Sequence, residues 1–353
     1  MKNFKRILAV SLAAVLMFAL VACGGNQTQT ETTTETTAGS TAPEYTGEKV
    51  KVAAIKGPTG MGMVDMMYNP MYDFTLTSDP TEVVSLIASG AVDIAACPLN
   101  LAANLFKKTN GNVQMLGINT LGVLYLLTNG VKINGLSELR DKTVYSTGQG
   151  ATPEFILSHI LEKNNLKDAV KVEYLSEHSE LMTKLVSGEV NIAVLPEPFV
   201  TIAKAKSSNI ETAISLTDEW SKIDSETMLS MGCVIARSDF IKKNPDAVGQ
   251  FIKDNKASVE NVNVNAYAEI KKMIEKGIVD EGILTVDSSI KENQVENAKQ
   301  QVALETISRC NIVFIDGEEM SKIANANFEV YFAADPTSVG GAVPSADLYY
   351  AQK

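Results

Sequence analysis

The sequence predicts an α/β protein of two similar lobes with a cleft between them. A ten-residue pattern, Ser-Gly-x-Val-(Asp/Asn)-Ile-Ala-x-x-Pro, occurs at Ser89–Pro98 and again at Ser187–Pro196, 98 residues further along. Predicted strands alternate with predicted helices, which favours parallel sheets covered by helices. Glycine-rich loops follow two of these strands, at 57–62 and 146–152. In open α/β sheets, the loops at the carboxyl ends of strands form the ligand site.

Residues 1–22 are typical of a targeting segment and are excluded from the fold. A basic start is followed by the apolar run Ile7–Ala22, which is short for a membrane span. The run ends in Leu20-Val21-Ala22-Cys23, which resembles a bacterial lipobox. The resemblance implies that Cys23 carries the lipid and becomes the first mature residue. The alternative is an ordinary secretory signal that is cleaved near Ala22.

Residues 23–47 are predicted to form a disordered tether, because they contain nine threonines and almost nothing apolar. Removal of residues 1–22 takes away two lysines, one arginine and no acidic residue, which changes the formal charge from −11 to −14. This negative charge argues against nucleic acid and anionic lipid head groups as partners, because both carry negative charge themselves.

Lobe I is predicted to begin at residue 48 with a strand at Lys49–Ile55, where polar and apolar side chains alternate before an apolar run. Asp79-Pro80-Thr81-Glu82 predicts a helix start, with Asp as the N-cap and proline at the first helical position. The other elements predicted here are a loop at 56–62, a helix beginning at Met63–Met67, and strands at Tyr72–Thr77, 113–118 and 122–128.

Each copy of the repeat predicts the same unit of structure. Gly90 and Gly188 stand where a helix needs a left-handed residue after its last turn. The following Val-(Asp/Asn)-Ile-Ala predicts a short buried strand. Pro98 and Pro196 are expected to end that strand and to open the next helix.

Lobe II is predicted to begin with a short helix at 136–142 and a strand from Thr143 that ends in the loop 146–152. Pro153 opens an amphipathic helix that runs to about Lys163, and the second repeat copy completes the lobe. The chain then returns to lobe I, which is placed at 48–125 plus 232–353, with lobe II at 126–231. The remaining predictions are strands at Val170–Tyr174 and Leu229–Ala236, and helices from Pro245 and at about 266–276, 288–306 and 317–328.

Cysteine and histidine usage predicts neither a metal site nor a cofactor. Cys97, Cys233 and Cys310 are odd in number without Cys23, and each is interpreted as a small buried apolar residue. His159 and His178 lie in predicted helices of lobe II, and neither has a cysteine or a second histidine at metal-ligand spacing.

Several local patterns together resemble one family. They are the lipobox, the threonine-rich tether, the two repeat copies, Pro196-Glu197-Pro198-Phe199, Arg237-Ser238-Asp239-Phe240, and the C-terminal stretch Pro336–Pro344 with Tyr349-Tyr350. The chain is similar over 48–353 to substrate-binding proteins of ABC importers, within the nitrate, sulfonate, taurine and thiamine-precursor group. The resemblance implies the two-lobed type II periplasmic-binding-protein fold, with a hinge and an interlobe cleft.

The family implies that four loops line the cleft, at 57–62, 97–100, 146–152 and 196–199. Glycines in these loops let the backbone approach a ligand, and helix N-termini present free N–H groups. Neutral side chains would add hydrogen bonds, and each could instead serve as a turn or cap residue. The candidate ligand contacts are Lys56, Thr59, Gly60, Met61, Cys97, Asn100, Ser146, Thr147, Gln149, Gly150 and Glu197.

The methionine cluster Met61, Met63, Met66 and Met67 has three interpretations. At helical spacing it is typical of core. It could also form an adaptable wall for a flat ring, or a soft metal site with Cys97.

Ligand charge is suggested by few residues. Beyond the targeting segment the arginines are Arg140, Arg237 and Arg309, and none lies in a predicted cleft loop. Glu197 favours a neutral or cationic nitrogen-containing ligand, including heterocycles, whose N–H it would accept. An anion would instead need Lys56 and helix dipoles. If Glu197 is only a carboxylate at a helix start, this argument lapses.

The predicted function is an extracytoplasmic, lipid-anchored and monomeric binding protein that delivers a small molecule to ABC permease and ATPase subunits. One alternative is an anion-binding importer component of the sulfonate or nitrate type. A ligand sensor and an enzyme on the same fold are two further alternatives. The sequence shows no pairing of a nucleophile with a base by motif, which disfavours the enzyme.

Overall fold

The computed structural model describes residues 48–286 and 289–351. The predicted signal segment, Cys23 and the tether lie outside the described residues. Two mixed sheets organise the chain. The eleven strands described are β1 (Val50–Ile55), β2 (Tyr72–Thr77), β3 (Ile94–Pro98), β4 (Val113–Leu121), β5 (Leu124–Asn129), β6 (Thr143–Thr147), β7 (Lys171–Leu175), β8 (Ile192–Pro196), β9 (Ile210–Ser215), β10 (Ser230–Arg237) and β11 (Ile312–Ile315).

The first sheet has the order β11-β4-β10-β3-β1-β2, and the second has the order β7-β6-β8-β5-β9. In the first sheet β1 runs parallel to β2 and β3, whereas β10 is antiparallel to both β3 and β4. In the second sheet β6 runs parallel to β7 and β8. The central strands are buried on both faces, as parallel strands covered by helices require. These sheets confirm the predicted α/β class.

Twelve α-helices of the described residues cover the sheets. Short 3₁₀ turns add to them at Asp65–Tyr68, Leu136–Leu139, Glu281–Leu284, Glu292–Gln294, Pro336–Val339 and Ala346–Leu348. The helices are α1 (Pro58–Met61), α2 (Pro80–Ser89), α3 (Leu99–Lys108), α4 (Thr152–Lys163), α5 (His178–Ser187), α6 (Phe199–Lys206), α7 (Leu216–Ile223), α8 (Ser238–Lys243), α9 (Pro245–Val264), α10 (Ala266–Glu275), α11 (Val295–Cys310) and α12 (Gly317–Ala334).

The repeat unit has the predicted local structure. Gly90 and Gly188 adopt left-handed conformations, with φ of 77° and 78°, directly after α2 and α5. Asp79 caps α2, because its carboxylate accepts a hydrogen bond from the Thr81 N–H at 2.8 Å. The two copies differ at their ends. Helix α3 begins directly after Pro98, whereas α6 begins only at Phe199, after a cis Glu197–Pro198 peptide bond.

Some element predictions are wrong in detail. The segment predicted as a loop at 56–62 contains the single turn α1, because Pro58 occupies its first helical position. The helix predicted at 288–306 is described from Val295 to Cys310, where Asn311 ends it in a left-handed conformation. Strand β5 of the second sheet begins at Leu124, two residues before the predicted start of lobe II at 126.

Candidate ligand cleft

The loops predicted to line a cleft all follow strands that run parallel within their sheets. In the first sheet, α1 follows β1 and α3 follows β3. In the second sheet, the loop 148–151 follows β6, His178 follows β7, and Glu197 follows β8. Parallel strands end at one edge of a sheet, so each group of loops lies at a single edge.

The two edges are joined by a buried hydrogen bond. The Thr152 hydroxyl, at the start of α4, donates to Asn100 Oδ1, at the start of α3, over 3.0 Å. Both residues are 1% exposed. The rings of Phe155 and Tyr331 also meet, with centroids 5.8 Å apart. The loops that follow β3 and β6 are therefore in direct contact.

The first glycine-rich segment is packed tightly against its own strand. A Cβ on Gly60 would lie 2.6 Å from the Ile55 carbonyl oxygen, so only glycine fits there. The Thr59 carbonyl accepts a hydrogen bond from Asn119 Nδ2 at 2.9 Å. Thr59 is partly exposed and Lys56 is exposed. Both side chains are therefore accessible to solvent.

Met61 and Cys97 lie in the core. Met61 is 0% exposed and packs in a cluster with Val262, Ile270 and other apolar side chains of α9, α10 and α11. Met63 and Met66 are also buried, so the core interpretation of the methionines fits the structure. Cys97 is 0% exposed and pairs in register with Cys233 of β10. Burial raises the pKa of the Cys233 thiol.

The second glycine-rich loop is occupied by the chain's own carboxylate. The Gly150 N–H donates to Glu154 Oε2 at 2.5 Å, in the first turn of α4. Helix N-termini attract negative charge, and Glu154 supplies it here. Ser146 and Thr147 are buried at the end of β6, whereas Gln149 and Gly150 are exposed.

Glu197 has an arginine partner, although no arginine lies in a predicted cleft loop. Arg309 Nε donates to Glu197 Oε1 at 2.5 Å, and the Thr201 N–H donates to Glu197 Oε2 at 3.1 Å. Glu197 is 0% exposed. Both of its oxygens thus have partners within the protein, and the hydrogen bond expected from a ligand N–H is made by Arg309. Arg309 lies 112 positions from Glu197 in the sequence, so no local sequence pattern predicts this ion pair.

Electrostatics around this pair follow from burial. Burial raises the pKa of Glu197, and the charge of Arg309 opposes that rise. Burial and the charge of Glu197 raise the pKa of Tyr125 to about 12, and its hydroxyl donates to the Arg309 carbonyl at 3.3 Å. Arg309 also donates to Thr201 Oγ1 at 2.8 Å. This cluster joins β5, α6 and α11.

His178 and Phe199 are not among the candidate contacts predicted from the sequence, although Phe199 ends the predicted cleft loop 196–199. His178 Nδ1 lies 2.6 Å from Thr147 Oγ1, and the His178 and Phe199 rings have centroids 5.3 Å apart. Both residues are partly exposed. His178 follows a parallel strand, β7, just as the selected loops follow theirs. That position is a signal in the sequence, because His178 is the first residue of the helix that follows β7.

A groove lies outside these loops. It has a volume of about 220 Å³ and lies between α6 and α11, with Lys204, Glu305 and Arg309 among its lining residues. Within 48–286 and 289–351, no group of three or more His, Cys, Asp or Glu side chains is arranged to hold a metal ion. In the same part of the chain, no helix is both long and apolar enough to cross a bilayer.

Comparison with known proteins identifies the family. The profile of the family described as NMT1/THI5 like matches residues 73–264, which is more than half of the 353 residues. The chain belongs to the NMT1/THI5-like family. Curated proteins include no significant match to this sequence.

Solved structures identify the fold of this family member. An ABC transporter protein from Parabacteroides distasonis is 22% identical with a TM-score of 0.70, and the match covers 86% of this chain and 99% of that one. The periplasmic aliphatic sulphonate binding protein SsuA from Escherichia coli is 12% identical with a TM-score of 0.62, covering 86% and 96%. The alkanesulfonate-binding protein SsuA from Xanthomonas axonopodis pv. citri, bound to MOPS, is 10% identical with a TM-score of 0.59, covering 84% and 94%.

These matches confirm the predicted family resemblance and the periplasmic-binding-protein fold.

Proposed function

We propose that this protein is an extracytoplasmic solute-binding lipoprotein, which captures a small organic molecule between its lobes and delivers it to an ABC permease and its ATPase. The observation that carries the proposal is the contact of the strand-end loops through Thr152 and Asn100. Loops from two sheets that meet in this way can enclose a ligand when the lobes close. Family membership and fold support the same function.

The ligand of this proposal is neutral or cationic and contains nitrogen. Two helix N-termini at the lobe II edge, where an anion would bind most readily, are already occupied by carboxylates of the chain. Glu154 accepts from the Gly150 N–H, and Glu197 accepts from the Thr201 N–H. An anionic ligand at either N-terminus would have to displace the carboxylate that already occupies it.

The proposed contacts follow from exposure and position. Thr59, Gln149 and Gly150 are partly or fully exposed and offer neutral hydrogen-bonding groups near the two edges. Ser146 and Thr147 are buried at the end of β6, so they would contact the ligand only at the base of the cleft. Asn100 would contact the ligand through its Nδ2 amide, since its Oδ1 is engaged by Thr152 in the joined state. The remaining candidate residues are buried, and in this proposal they support the cleft walls without contacting the ligand. They are Gly60, Met61, Cys97 and Glu197.

The second candidate function is capture of an anion such as a sulfonate or nitrate. Two of the solved structures with this fold are named as sulfonate-binding proteins. Lys56 is exposed beside the first glycine-rich segment and would supply the positive charge. An enzyme and a ligand sensor remain the other candidate classes. A permease gene and an ATPase gene beside this one would separate transport from sensing.

A thermal-shift screen tests the proposal. The probe panel contains cytosine, adenine, nicotinamide, ethanolamine, ethanesulfonate and nitrate, added to the mature chain with Cys23→Ser so that it is not lipidated. Binding to the folded state raises the melting temperature, and the stabilisation grows with the logarithm of the ligand concentration divided by Kd. We expect a neutral or cationic nitrogen compound to raise it. A rise only with the two anions would support the second candidate, and no rise with any probe would contradict both.

A further inference from the structure

Three side chains from neighbouring strands meet at the carboxyl edge of the second sheet. Thr147 is the last residue of β6, His178 is the first residue of α5 after β7, and Phe199 is the first residue of α6 after β8. Strand β6 lies between β7 and β8 and runs parallel to both. The three side chains are therefore adjacent along the edge that also carries the glycine-rich loop.

Two contacts fix the orientation of the His178 ring. Its Nδ1 atom lies 2.6 Å from Thr147 Oγ1, a hydroxyl that is itself on a residue only 2% exposed. Its ring packs against that of Phe199 at an interplanar angle of 50°. His178 and Phe199 both remain partly exposed. The pair thus offers accessible aromatic surface that is held in one arrangement.

The chemistry of this surface suits a neutral ring. Since Nδ1 is engaged by Thr147, Nε2 is the ring nitrogen that can reach a ligand, as a single donor or a single acceptor depending on the tautomer. Burial lowers the pKa of His178 to about 4, so the imidazole is uncharged at neutral pH. Two uncharged aromatic rings attract the face or edge of another aromatic ring and give an anion no compensating charge.

We infer that His178 is a ligand-contacting and specificity-determining side chain of the cleft. It packs with Phe199 against a neutral heteroaromatic ligand and makes one hydrogen bond to it through Nε2. Thr147 acts as a positioning residue, because its hydroxyl holds the imidazole. The inference rests on the proposed binding function and adds to it a residue and a ligand class.

The chain contains two histidines, which allows a direct test. Nitrogen-15 NMR of the imidazoles in the mature chain with Cys23→Ser is followed during titration with cytosine, adenine and nicotinamide. We expect the probe that binds to shift the His178 ring signals and to leave those of His159 in place. His159 is a matched control in the same lobe, where it packs on Trp220 with ring centroids 5.3 Å apart.

Calorimetry on variants measures the contribution of the ring. We expect His178→Ala to weaken binding of the same probe by tenfold or more, from the loss of one hydrogen bond and one ring contact. His178→Phe should recover part of this loss, because it keeps the ring and removes only the nitrogen. His159→Gln should bind as the unsubstituted chain does.

The outcomes separate this inference from the proposed function. If a heterocycle binds while the His178 signals and the His178→Ala affinity stay unchanged, the inference is overturned and the binding function stands. If only ethanesulfonate or nitrate binds, the ligand class is overturned together with the role of His178. If none of the probes binds, the result counts against the inference and the proposed function together.

Discussion

At the scale of single residues, the pairing of Glu197 with Arg309 changes the interpretation of the site. Burial of a carboxylate is costly, and here Arg309 and the Thr201 N–H compensate for that cost. The arginine side chain is 25% exposed and the glutamate is 0% exposed, so the free-energy cost of removing charge from water falls mainly on the glutamate. The pair should therefore contribute to folding more than to ligand charge selection.

Arg309→Met should destabilise the protein by about 3 kcal/mol, because it leaves Glu197 buried without its counterion. Glu197→Gln should cost less, since the amide keeps an acceptor for the Thr201 N–H and leaves no buried anion. Urea unfolding of both variants measures the difference. Lys167→Met is the control, because its partner Glu162 is exposed and the pair should contribute nothing measurable. An Arg309→Met variant as stable as the parent would contradict this account.

His178 should make stability depend on pH. Burial lowers the pKa of His178 from 6.5 to about 4 in the folded state. Between pH 4 and pH 6.5 the unfolded chain therefore binds a proton at this imidazole that the folded chain does not. This contribution to the free energy of unfolding is present in full above about pH 6.5. It decreases as the pH falls toward 4, by at most about 3 kcal/mol.

The measurement is the stability difference between the parent and His178→Gln at several pH values between 4 and 7. Subtraction removes the carboxyl groups that titrate in the same range. The difference should change with pH in favour of the parent as pH rises. A constant difference across this range would show that folding does not lower the pKa of this imidazole.

At the scale of elements, the two repeat copies show how far a local pattern determines structure. Gly90 and Gly188 end their helices in the same left-handed conformation, because both need a residue without a Cβ at that φ. The proline positions do not behave identically. Pro98 leads directly into α3, whereas Glu197 and Pro198 intervene before α6. Glu197 uses this extra length to reach the first turn of α6 and Arg309 together.

Gly188→Ala should reduce the free energy of unfolding by about 1 kcal/mol, from the strain of alanine at a φ of 78°. Its neighbourhood is open, with Asn129 Nδ2 at 3.9 Å from an added Cβ, so a steric clash contributes little. Gly249→Ala is the matched control within α9, where an added Cβ meets nothing within 4 Å. That variant should stabilise by about 0.5–1 kcal/mol. Thermal unfolding of both variants should therefore show shifts of opposite sign.

At the scale of the whole molecule, we propose that the lobes, roughly 48–125 with 232–353 and 126–231, open and close about the two chain crossovers. The contact between Thr152 and Asn100 forms only when the strand-end loops meet. Closure on a ligand would let a permease distinguish the loaded protein from the empty one.

Small-angle scattering should show a smaller radius of gyration when a binding probe saturates the protein. Thr152→Val should shift the protein toward larger radii, because the joined state then leaves Asn100 Oδ1 buried without its partner, a cost of about 1–3 kcal/mol. Thr183→Val is the control, since that exposed hydroxyl bonds only within its own helix, to the Ser179 carbonyl. Equal radii with and without a saturating probe would count against closure.

Cys23→Ser should release the protein from membranes into the soluble fraction without unfolding it. The substitution removes the proposed site of lipid attachment and leaves 48–353 unchanged. Fractionation followed by circular dichroism of the soluble protein tests both parts. A variant that still sediments with membranes would refute the lipobox interpretation.

The α/β class, the family, and the positions of the glycines and caps at the repeat could all be predicted from the sequence. These features depend on contacts within a few residues, such as Asp79 with Thr81 or the φ of Gly90, so local pattern contains the cause. Burial of Cys97, Cys233 and Cys310 was also predictable, because small apolar side chains in apolar strands and helices are usually buried in the core.

The side chains that meet at the strand-end loops could not be predicted from the sequence. The partners of Glu197 lie in α6 and α11, and the partner of Asn100 lies in α4, at separations of 112 and 52 residues for Arg309 and Thr152. Burial of Met61 and the packing of His178 on Phe199 likewise depend on which helices cover which strand ends. Contacts of this kind arise from how the chain crosses between two sheets, and no short stretch of sequence encodes that geometry.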